Sequence, residues 1–107
     1  MTRLWLDDVR PAPAGWLHAR TAAEAIAILA DRKVDVVSLD HDLGPPEAGT
    51  GYDVACWIER AAAEGRLPVM PMWDVHSSNP VGRARMVDAL LSARARWVNP
   101  GGRDAGR

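Results

Sequence analysis

The chain predicts an α/β fold: an open parallel sheet of four or five strands with helices on its faces. Three observations carry this. Short apolar, β-branched runs alternate with segments of helical period along the 107 residues. Helix-start signals follow the second, third and fourth runs. Three of the four runs end in clusters of ionisable or amide residues, and open parallel sheets bind ligands beyond the carboxyl ends of their strands.

RLWLDDV (3–9) is the first apolar run, and it ends in the pair Asp7–Asp8. RPAPAG (10–15) is too rich in Pro and Gly for helix or central strand. WLHAR (16–20) has the length of a short strand. Residues 10–15 are too few for a crossover helix, yet a parallel sheet needs both flanking strands to point the same way. An extended chain covers at most about 3.3–3.6 Å per residue, so roughly seven extended residues run back along one strand. Pro11 and Pro13 favour that extended form. The sequence therefore predicts a crossover without a helix.

Thr21-x-x-Glu24 is a capping box opening a helix, with Ala25, Ile28, Leu29 and Arg32 at helical spacing. VDVVSLD (34–40) is β-branched and apolar, as expected of a strand buried on both faces. GPPEAGTG (44–51) is a loop, and Thr50-x-x-Asp53 caps a second helix with the stripe Val54, Trp57, Ile58 and Ala61, ended by Gly65. In VMPMWDVHS (69–77) the strand starts after Pro71, and Pro71 with Asp74 suggests a sheet edge. Asn79-Pro80 opens a third helix with Val81, Met86, Val87, Leu90 and Leu91 as its expected buried face. Trp5 and Trp57 are expected in the core, whereas Trp16 and Trp73 are free to stack a base.

At this length residues 1–100 form one domain, and GGRDAGR (101–107), with no core residues, is expected to be a disordered tail. The chain is 48% hydrophobic and 25% charged with a formal net charge of −1, which excludes a disordered chain and a general duplex nucleic-acid binder. The single Cys56 fits a reducing compartment. No stretch reaches the ~20 apolar residues of a membrane span, and no leader begins the chain. A cytoplasmic protein without a membrane partner is expected.

Asp7–Asp8, Asp40–His41–Asp42 and His76–Ser77–Ser78–Asn79 would share one crevice if the strands run parallel. The pattern resembles receiver domains of response regulators, in which an acidic pair after the first strand and an Asp after the third bind Mg²⁺. A Ser or Thr then follows the fourth strand and Lys-Pro the fifth. Asp7, Asp8, Asp40 and Ser77 match in order. Asn99-Pro100 stands where Lys-Pro is expected, and the first crossover helix and the last helix are missing. Both His41 and His76 are foreign to that pattern. LDDVRPAPAGW, TAAEAI, SLDHDLG, TGYDVACWIE and HSSNPVGR look like the motifs of a closer group, the cyclic-phosphate processing receiver domains.

The resemblance implies a phosphodiesterase-like hydrolase opening a cyclic phosphate, for instance a 2′,3′-cyclic end on RNA or a nucleotide. Asp7, Asp8 and Asp40 suit Mg²⁺ or Mn²⁺; the plainer alternative is that one caps a helix or pairs with an arginine. Histidine as a residue type suits a shared acid and base, which makes His41 and His76 the candidates. Their alternatives are hydrogen-bonded structural residues, or ligands of a softer metal with Asp40. Asp42 orients His41 or closes the turn. Ser77, Ser78 and Asn79 cap the third helix and offer a phosphate cradle. Arg10 neutralises the acidic pair or clamps phosphate, and Arg83 lies within reach of the same anion. Two other functions remain open on sequence: a receiver phosphorylated on Asp40, and a module that binds a phosphorylated ligand without turning it over.

Overall fold

Four strands form one all-parallel sheet in the computed structural model, which describes residues 1–98. They are β1 (Arg3–Leu6), β2 (Leu17–Ala19), β3 (Val36–Leu39) and β4 (Met72–Val75), in the order β2-β1-β3-β4. Three helices follow β2, β3 and β4 in turn: α1 (Ala22–Asp31), α2 (Gly51–Ala63) and α3 (Pro80–Arg96). Asn99-Pro100 and the tail expected at 101–107 lie outside the described residues.

The segment between β1 and β2 contains no helix, as the chain-length argument required. Because β1 and β3 are neighbours while β2 lies on the far side of β1, the strand order reverses between β1 and β3. That reversal is the switch point where ligands bind in such sheets.

Side-chain alternation divides the sheet into two faces. Leu4, Leu6, Val37, Leu39 and Val75 are buried on one, and α1, α2 and α3 all cover this face. The two helical crossovers step across the sheet in the same direction, and right-handed crossovers in one direction place their helices on one side. Only the helix-free step from β1 to β2 goes the other way. β3 is buried on both faces, as expected, Val37 and Leu39 towards the helices and Ser38 on the second face; among the described residues no helix covers that second face, where the 7–16 segment lays Trp16 edge-on to Trp5 at 6.0 Å. Trp5, on that second face, is half-buried rather than core, and Trp57 on α2 is half-buried against the core's edge.

Both predicted N-caps form. Thr21 Oγ1 accepts from the Glu24 N–H, but the Glu24 carboxylate accepts from the Arg20 N–H instead of closing the expected box, whereas Thr50 makes a reciprocal capping box with Asp53. α3 departs from its expected face. Gly82, Met86, Ala89, Leu90 and Ala93 are buried, whereas Val81 and Leu91 are 64% and 51% exposed. Small residues set the contact because α2 and α3 pack closely, and a hydropathy reading favours large apolar positions instead. β4 is an edge strand, as Pro71 and Asp74 suggested. None of the described helices is long and apolar enough to cross a membrane.

Candidate active site

The site follows from register. Leu6, Leu39 and Val75 are aligned across β1, β3 and β4, all pointing into the core. The ladder continues one residue further: the Asp40 N–H donates to Leu6 O and the His76 N–H to Leu39 O, both at 3.0 Å. Asp7, Asp40 and His76 are thus the next row, and alternation turns all three to the face away from the helices. Neighbouring strands lie about 4.7–4.9 Å apart, and one ligand atom from each of the three side chains lies within 4.8 Å of the others. The following residues, Asp8, His41 and Ser77, turn to the helix side by the same alternation.

Asp7 is 1% exposed. Its Oδ1 accepts from the backbone N–H groups of Val9 and Arg10 at 2.8 Å, and its Oδ2 meets His76 Nε2 at 3.0 Å. Burial pushes this carboxyl up, but those two N–H bonds and the imidazole outweigh it and hold Asp7 below its ordinary value. Asp40 goes the other way. Burial raises it, the N–H of His41 on its Oδ1 opposes, and the Asp7 charge adds to the rise. A half-buried acid pushed upward beside a second, buried acid is a place where a cation is favoured.

The His76 ring lies back along the sheet face, stacked on Trp5 with centroids 4.0 Å apart and planes at 5°. Its Nδ1 meets Ser38 Oγ at 2.8 Å, so both ring nitrogens are engaged. Arg10 reaches across from the loop after β1, its guanidinium donating to the His76 carbonyl at 3.1 Å. His18 on β2 bonds the Asp7 carbonyl through Nε2 at 2.8 Å.

On the helix side, His41 packs against the first turn of α3. A Cβ added at Gly82 would come within 2.4 Å of its ring. Asp42 Oδ1 lies 3.0 Å from His41 Nδ1, which fixes the proton there and leaves the Nε2 lone pair available. The bond to His41 is what lowers the Asp42 carboxyl below its ordinary value. Among the described residues Nε2 has no hydrogen-bond partner. Asn79 caps α3 through Gly82 N–H and donates to Asp42 Oδ2 at 3.4 Å. A cleft of about 340 Å³ opens over these strand ends, lined by Asp7, Asp8, Arg10, Asp40, Asp42 and Ser78 among others.

The predicted residues thus separate into two sets. Asp7 and Asp40 converge, but their third partner is His76, while Asp8 lines the cleft outside that cluster. His41 and His76 do not form one pair; their rings occupy opposite sides of the strand row. Ser77 Oγ is taken by the Asn79 N–H, and Arg83 donates to the Val75 carbonyl from the first turn of α3. Sequence reasoning misses Ser38, His18 and Asp74 as site residues. A signal for them exists: a serine inside the apolar run VDVVSLD, and polar residues at the same register in neighbouring strands.

Residues 2–92 match the family model described as cyclic-phosphate processing Receiver domain. No curated protein matches the chain.

Proposed function

The chain belongs to the cyclic-phosphate processing receiver domain family, and on that premise we propose that it is a metal-assisted phosphodiesterase opening a cyclic phosphate, with a 2′,3′-cyclic nucleotide or RNA end as the substrate class. The observation that carries this is the convergence of Asp7, Asp40 and His76 donor atoms within 4.8 Å at the strand ends, with His41 held by Asp42 on the other side of the strand row.

The donor set fits a divalent ion. Two carboxylates and one imidazole suit Mn²⁺ or Mg²⁺, the nitrogen leaning towards Mn²⁺. Asp7 Oδ2 and His76 Nε2 lie 3.0 Å apart, and with an Asp40 oxygen they would hold the ion. When bound, the ion supplies positive charge to polarise a phosphoryl oxygen.

The chain's own groups divide the remaining work. Arg10 presents a guanidinium at the cleft rim to hold a phosphate oxygen. Ser78 and the start of α3 add polar donors on the other side. His41, held by Asp42 through Nδ1, takes a proton from water at Nε2 as the water attacks phosphorus. One P–O bond of the ring breaks, the freed ester oxygen takes a proton from solvent, and His41 returns its own to solvent, giving a phosphomonoester. His76, with Nδ1 on Ser38 and Nε2 among the donors that would hold the ion, exchanges no proton.

A panel of cyclic phosphates incubated with Mn²⁺ or Mg²⁺ tests this. The wild type should open at least one member, and His41→Ala should lose about 10²–10⁴ of the rate. Equal rates for both proteins would remove His41 from its role, and an inert wild type would remove the hydrolase reading.

A further inference from the structure

We propose that Ser38 and Asp74 are positioning residues that set the tautomer of His76 and so let its Nε2 serve as a metal ligand; this rests on the metal centre proposed above. Trp5, Ser38 and Asp74 are aligned across β1, β3 and β4, in the row directly before Asp7, Asp40 and His76 on the same face. The His76 ring folds back over that row, stacked on Trp5 with Nδ1 against Ser38 Oγ at 2.8 Å. Ser38 is 2% exposed in a strand whose other central residues are aliphatic, and its hydroxyl has a second partner, Asp74 Oδ2, at 3.5 Å.

These distances define two proton arrangements. In the first, the Ser38 hydroxyl donates to Nδ1, the ring proton sits on Nε2, and Nε2–H donates to Asp7. In the second, the ring proton sits on Nδ1 and donates to Ser38 Oγ, whose hydroxyl turns to Asp74. The imidazole carries one ring proton in both arrangements, so no net proton is gained or lost; solvent takes the proton from Nε2 and returns one to Nδ1. The second arrangement bares the Nε2 lone pair towards Asp7 and Asp40, which is what a divalent ion requires. Outer partners of this kind fix the ring orientation and basicity of ligating histidines. Ser38→Ala would leave the His76 ring with Asp7 and the Trp5 stack but nothing on Nδ1 to set the tautomer.

Mn²⁺ affinity and the His76 ring nitrogen resonances of the metal-free protein test the proposal together. Ser38→Ala should weaken Mn²⁺ binding about 10–100-fold, Ser38→Thr should restore most of it, and Asp74→Ala, at an exposed site, should weaken it by less. In a His76→Ala background Ser38→Ala should add nothing, because its effect runs through the ring. The Nδ1 resonance should move in metal-free Ser38→Ala. Wild-type Mn²⁺ affinity in Ser38→Ala, or an undiminished loss in the His76→Ala background, would overturn the proposal. A wild type that binds no Mn²⁺ would refute the metal centre instead, and the Nδ1 resonance then decides alone: unmoved, it overturns the role of Ser38.

Discussion

Replacing Gly82 by alanine should destabilise the protein although it sits in a helix. Gly82 is the third residue of α3, with no left-handed backbone requirement, so Gly→Ala would ordinarily stabilise by up to about 1 kcal/mol. Here the new Cβ lies 2.4 Å from Cγ and Cδ2 of His41 and 2.8 Å from Nε2, well inside the 3.4 Å where ordinary contact begins. Rotation about the ring bond cannot move Cγ, so the whole imidazole must swing, breaking its 3.0 Å bond to Asp42. Overpacking of this kind costs about 1–3 kcal/mol. The net loss should be about 1–2 kcal/mol, read by thermal denaturation at roughly 4–8 °C per kcal/mol. In a His41→Ala background the clash vanishes and the same substitution should stabilise. A Gly82→Ala protein that melts above wild type with His41 intact would refute this packing of His41 against α3.

Gly51→Ala should be more severe, since its Cβ would fall 1.9 Å from the Asp40 carbonyl oxygen and 2.7 Å from Met86 Sδ. Backbone cannot give way as a side chain does, so a loss of about 3 kcal/mol or more is expected in urea denaturation. Asp40 is held above its ordinary value, so it favours the fold while protonated, and that contribution is lost as pH rises from the ordinary carboxyl value through the raised one. Asp40→Asn should therefore stabilise the metal-free protein at pH 7 and flatten its stability profile on the acid side. Ion binding should reverse this, raising wild-type stability by about 2.7 kcal/mol at 100 times the dissociation constant and leaving Asp40→Asn unmoved. Arg10→Ala should lower kcat/KM about 10–100-fold, the equivalent of one charge-assisted hydrogen bond of about 1.5–3 kcal/mol.

Much of the fold is legible in the sequence because its local signals are chemical. The capping residues Thr21, Thr50 and Asn79 each begin a helix, and the short proline-rich stretch after Asp8 correctly requires a crossover without one. The one-sided sheet is less legible. Nothing local to VDVVSLD distinguishes a strand covered by two helix layers from one covered by a helix layer and a tryptophan stack. The buried stripe of α3 escapes a hydropathy reading because Gly82, Ala89 and Ala93 carry little hydropathy yet make close contacts. At the site, the sequence identifies the strand ends but does not sort them. Extending the two-residue alternation past each strand groups Asp7, Asp40 and His76 apart from Asp8, His41 and Ser77. That extension needs the register between strands, which only pairing supplies. It also explains why His76, and not Ser77, stands beside Asp40.

Mn²⁺ titration of the wild type beside Asp7→Asn, Asp40→Asn and His76→Ala tests the proposed centre most directly. One ion should bind per wild-type chain, and each substitution should weaken it strongly while Asp8→Asn weakens it less. A wild type that binds no ion, or one whose affinity survives His76→Ala unchanged, would contradict a centre built from this register row.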